Sequence, residues 1–152
     1  MIQSYQETPV LLASNSSPLT FSTDCIRTRC ANCYGFLQHS QGSPLYKILN
    51  GGNYDVTFNA NVTSATAGQV ALGLYMDEVL LPGTTVIADI ATAGDYVNVA
   101  FTKTVPICCR GDATLTVQSV PSILTGTTAT GTPTDTQIPL YQNANFRISK
   151  RS

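Results

Sequence analysis

Between residues 43 and 150 the chain alternates apolar and polar positions in short runs broken by turn residues. The clearest run is Tyr54, Val56, Phe58, Ala60 and Val62 alternating with Asp55, Thr57, Asn59 and Asn61. A period of two with apolar residues on one face predicts a strand half-buried against a core. The same period recurs at Val70, Leu72, Leu74 and Met76, at Val86, Ala88 and Ile90, at Val97, Val99 and Phe101, and at Ala113, Leu115 and Val117. Shorter β-like runs stand at Leu19-Thr20-Phe21 and Leu45–Leu49. Two more close the chain at Ile138–Tyr141 and Phe146-Arg147-Ile148. Turn signals separate them: Asn50-Gly51-Gly52, Ala67-Gly68, Asp77-Glu78 and Ala93-Gly94-Asp95. Leu81-Pro82-Gly83-Thr84 has the Pro-Gly order of a type II turn. Residues 119–136, rich in Thr, Gly, Ser and Pro, read as a long loop. No helical period of useful length appears. Many short strands at even spacing predict an all-β protein, a β-sandwich or jelly roll.

Composition sharpens this picture. Only 11% of the 152 residues are charged and the net charge is −1, so no broad basic field is available and no nucleic-acid partner is expected. Thr, Ser, Asn, Gln and Gly carry the polarity, which suits strands and turns. No stretch approaches the roughly 20 apolar residues of a membrane span, and Met1-Ile2-Gln3-Ser4 does not resemble a secretory leader. The expectation is synthesis in a bacterial cytoplasm without a membrane partner. Residues 1–17, with Pro9 and no clear period, read as an N-terminal arm, and residues 18–152 as one jelly-roll domain.

From about residue 43 to 150 the chain resembles phage and prophage virion surface proteins that carry a TNF/C1q-like jelly roll. The matching segments are Gly52–Val62, Val70–Tyr75, Val79–Thr84, Ala93–Val99, Cys108-Cys109 and Asn145–Ile148. The resemblance implies a homotrimer with an inner sheet packed around a three-fold axis. It also implies a place on the virion as a head fibre or capsid decoration subunit, in contact with other capsid or virion proteins. One feature departs from such relatives, which carry Gly second in the turn after the "LY" strand. Glu78 stands there, so a hairpin tip longer than two residues is expected.

The five cysteines are the sharpest chemical feature. Cys25, Cys30 and Cys33 fall within nine residues, and Cys108 and Cys109 are adjacent. Thiolates bunched in this way are candidate ligands for zinc or iron, and Cys30-Ala31-Asn32-Cys33 has the CxxC spacing. A second CxxC is missing, and adjacent strand residues point to opposite faces. Free thiols and disulfides are the simpler readings.

Nothing else assembles a reactive set. His39 is the only histidine, six residues from Cys33, and reads as a surface or loop residue. Most of the acids fall at turns or on outward strand positions, and no facing pair for glycoside chemistry emerges. Arg110-Gly111-Asp112 spells an adhesion tripeptide but reads as a turn into the next strand. No catalysis is expected. Two alternatives to the virion reading stand beside it. One is a receptor- or glycan-binding module at a fibre tip, using the loop 119–136 and Tyr141-Gln142-Asn143. The other is a metal-binding protein using the cysteine cluster.

Overall fold

A computed structural model describes residues 1–26, 36–108, 112–124 and 133–151. Two antiparallel sheets pack face to face. The first, sheet A, runs β10 (Val97–Ile107), β6 (Gly52–Thr63), β14 (Leu140–Lys150), β1 (Ile2–Gln6) and β3 (Thr23–Ile26), with β2 (Val10–Leu11) pairing to the start of β14. The second, sheet B, runs β4 (Leu37–Gln38), β5 (Tyr46–Ile48), β11 (Ala113–Ser119), β7 (Gly68–Met76) and β8 (Val79–Leu80), with β9 (Val86–Ile90) also on β7. A hairpin of β12 (Ser122–Leu124) and β13 (Pro133–Asp135) forms a separate ribbon. Among the described residues there is no helix.

The predicted inward positions fill the space between the sheets. Tyr54, Val56, Phe58, Ala60 and Val62 are buried, as are Leu72 and Leu74 from sheet B. Phe21, Tyr46 and Phe146 interlock at one side, with Phe21 stacked on Phe146 at 5.8 Å and Tyr46 edge-on to Phe146 at 4.8 Å. Offset and edge-to-face geometries of this kind suit the ring quadrupoles. Burying so much alternating apolar surface is the main stabilising term for such a sandwich.

Four expectations need correction. Residues 1–17 are not an arm outside the domain. β1 is hydrogen-bonded between β14 and β3, with Ile2 opposite Ile148 and Ile26, and Ile2, Ser4 and Gln6 are buried. Its alternation is carried by Ser4 and Gln6 rather than by apolar residues, so hydrophobic periodicity does not reveal it. Residues 119–136 are not one loop, since β12 and β13 pair there; residues 125–132 lie outside the described residues. The two closing runs are one strand, β14, with a bulge between Gln142 and Asn145. The β7–β8 tip holds only two residues, because Met76 pairs with Val79. Asp77 and Glu78 adopt φ of 50° and 67°, the positive values a tight hairpin demands. Asp77 offsets the strain by pinning the tip to β11: its N–H donates to Thr114 O at 2.9 Å, and its Oδ1 accepts from Thr114 N at 2.8 Å. Gly83, by contrast, takes φ 74° as the Pro-Gly turn predicts.

Candidate assembly interface

The residues that alternate with the core positions of sheet A form one continuous outer face. Strand register sets it out in rows. Cys25, Gln3, Arg147, Thr57 and Thr102 follow one another across all five main strands. The next row holds Tyr5, Asn145, Asn59 and Ala100. Most of the face is amide and hydroxyl. Gln3 donates to Asn145 Oδ1 at 3.3 Å, Asn98 to Asn61 Oδ1 at 2.9 Å, and Thr104 to Asp55 Oδ1 at 2.7 Å. Thr57, Asn59, Ala100, Thr102 and Arg147 remain exposed. A shallow concavity of about 500 Å³ lies among Gln3, Thr57, Asn59, Thr102, Asn145 and Arg147.

Sheet B differs. Ala71, Gly73 and Tyr75 lie on the outward side of β7, yet Ala71 packs with Val120 and Ile123 in a small second core, against which Tyr75 and Leu80 also rest. A Cβ on Gly73 would come within 2.5 Å of Leu80 and 3.2 Å of Val120, so glycine is what lets β8 and the start of the ribbon close over β7. The chain covers part of sheet B itself and leaves the middle of sheet A open.

The edge strand β10 carries Lys103 opposite Val56 on the core side, its ammonium donating to Pro82 O at 3.0 Å, and Pro106 further on. An inward-pointing lysine and a proline discourage strand addition at an edge.

The predicted cysteine cluster is only partly described. Cys25 sits on β3 and Cys108 just past β10, both as free thiols. These strands are the opposite edges of sheet A, about 19 Å apart at roughly 4.8 Å per strand. The fold therefore does not bring Cys25 and Cys108 together within one chain. Cys30, Cys33 and Cys109 lie outside the described residues, as do Arg110 and Gly111. Asp112 is exposed, has φ 70° and pairs with Lys47 at 2.8 Å.

His39 is not a surface residue: its side chain is 0% exposed and Asp24 beside it is 8% exposed. The ring stacks on Tyr46 at 3.8 Å and 3°. Nδ1 faces Leu45 O at 2.9 Å, and since a carbonyl only accepts, Nδ1 donates. Nε2 approaches Asp24 Oδ2 at 3.1 Å. Ser4, opposite Asp24 in the register, completes a set of Ser, His and Asp. Residue types alone would suggest a triad. The geometry does not build one: Nδ1 is committed to the Leu45 carbonyl, and Nε2, though 3.1 Å from Asp24 Oδ2, makes no hydrogen bond to it or to Ser4. Burial pushes the Tyr46 phenol far above its usual range; the nearby Ser4 hydroxyl works against this and the Asp24 charge adds to it.

Tyr141, read as a candidate sugar contact, is fully buried. Its hydroxyl donates to Thr20 O at 2.7 Å and accepts from Thr20 N at 3.0 Å. Only Asn143 of that trio is exposed, at the β14 bulge with φ 48°.

With this geometry in view, the chain can be set beside known proteins. No family model matches it, and no curated protein does. Among solved structures, the globular domain of zebrafish complement 1qA protein superposes with a TM-score of 0.63 at 14% identity, over 99% of this chain and 96% of that one. The fold is a C1q-like jelly roll. The match runs the length of the domain, β1 included, so the N-terminal residues belong to the fold by comparison as well as by hydrogen bonding.

Proposed function

We propose that this C1q-like domain is a homotrimeric structural subunit of a bacteriophage virion, of the head-fibre or capsid-decoration type, which contacts other capsid proteins and performs no catalysis. The observation that carries the reading is the open outer face of sheet A, spanning five strands and flanked by an edge that resists strand pairing. A C1q-like fold is suited to trimeric packing through such a face. The sequence resemblance to virion surface proteins supports the phage assignment. The charge-poor, amide-rich exterior is compatible with a particle surface.

The interface in this reading is mostly polar. Asn59, Asn145, Gln3 and Thr57 would join copies by hydrogen bonds, with Tyr5 and Ala100 as its modest apolar content. Light scattering on purified protein tests the trimer, and mass spectrometry of purified particles tests the virion. A stable monomer would count against the first, and absence of the chain from particles against the second.

A further inference from the structure

Arg147 stands in the middle of the open face with no counter-charge among the described residues; the charge that acts on it there is the like-signed Met1 ammonium. It projects from β14, the third of the five strands, between Gln3 and Thr57. No Asp or Glu lines the concavity around it, and among the described residues no carboxylate pairs with it. Asp55, on the same face, already accepts the Thr104 hydroxyl at 2.7 Å. In a monomer this is harmless, since water solvates the guanidinium. When copies close over the face, that charge is desolvated, and an unpaired buried charge is strongly unfavourable.

We propose that Arg147 is an anion-binding residue, and that a tetrahedral oxyanion seated on it is what allows the face to close. This rests on the assembly reading above. The guanidinium offers a planar fork of donors matched to oxyanion geometry. The Thr57 and Thr102 hydroxyls line the same concavity and supply further donors, as does the second N–H of the Gln3 amide, whose first is on Asn145 Oδ1. Three copies bring three guanidinia onto buried surface, and an anion removes both the desolvation penalty and their mutual repulsion. Assembly thereby becomes sensitive to oxyanion concentration.

Sedimentation equilibrium in sodium sulfate and in sodium chloride at matched ionic strength tests this. The wild-type monomer–trimer midpoint is expected about tenfold lower in protein concentration in sulfate, the effect of one charge-assisted contact. Arg147→Gln should lose that shift while keeping its far-UV circular dichroism, and Arg147→Lys should keep part of it. A shift that persists in Arg147→Gln is general salting-out and overturns the proposal. A wild-type trimer indifferent to sulfate overturns it and leaves the assembly reading standing. Indifference to sulfate with loss of the trimer in Asp55→Asn assigns the counter-charge to a neighbouring copy's carboxylate, and also overturns it. A monomer in both salts removes the assembly reading itself.

Discussion

His39 Nε2 lies 3.1 Å from Asp24 Oδ2, and this buried pair joins the edge of sheet A to the edge of sheet B. Asp24 belongs to β3, while His39 follows β4 and is held by Leu45 O and the Tyr46 ring. With both ring nitrogens protonated this is a buried ion pair, and removing one member strands the other, at a cost of about 3–5 kcal/mol. Asp24→Ala is therefore expected to lower unfolding stability by about that amount in urea titration. Lys47→Ala, which breaks the exposed pair with Asp112, should cost at most about 1 kcal/mol. Equal effects of the two substitutions would contradict the assignment of His39 and Asp24 to a clasp.

Glu78 sits at φ 67° in a two-residue turn. A left-handed conformation costs a side-chain-bearing residue roughly 1–2 kcal/mol, part of which glycine gives back as unfolded-state entropy. Glu78→Gly should stabilise the protein by about 0.5–1 kcal/mol. Asp77→Ala should destabilise it, because the Thr114 N–H loses its side-chain acceptor. Thermal unfolding of both variants reads the two signs.

Tyr141→Phe removes a hydroxyl that donates to Thr20 O and accepts from Thr20 N. Loss of these buried bonds should cost about 1–3 kcal/mol. The expected deficit is one of stability, seen in urea titration, and a variant with wild-type stability would show that the hydroxyl has no structural role.

Gly73→Val should destabilise by about 1–3 kcal/mol through overpacking, since Leu80 and Val120 occupy the space its side chain needs. Protection of the β12–β13 amides from hydrogen exchange should fall with it. Unchanged protection would show that the ribbon is held independently of β7.

These residues also mark what was legible in the sequence. The long strands β6, β7 and β10 follow from period-two alternation, and the jelly roll follows from their number and spacing. β1 escaped because its buried positions include Ser4 and Gln6, whose burial depends on partners distant in sequence. Outward positions of β7 gave no sign that a ribbon would cover them. The His39–Asp24 pair joins residues 15 positions apart on different sheets, a distance no local motif spans. The polar face of sheet A was visible as Thr and Asn alternating with the core. Its continuity, and the isolation of Arg147 within it, emerge only from the strand order β10-β6-β14-β1-β3. The two-residue tip is not legible in the sequence because the left-handed strain at Glu78 is offset by Asp77 bonds to Thr114, which no local pattern announces.

The central claim is that the outer face of sheet A joins three copies. Ala100 is exposed on that face opposite Asn59, so Ala100→Arg adds bulk and charge there without touching the core. The most direct measurement is the solution mass of wild type and Ala100→Arg by light scattering at micromolar concentration. The account predicts three chains per particle for wild type and a folded monomer for the variant. A wild-type monomer, or a trimer that Ala100→Arg leaves intact, would contradict it.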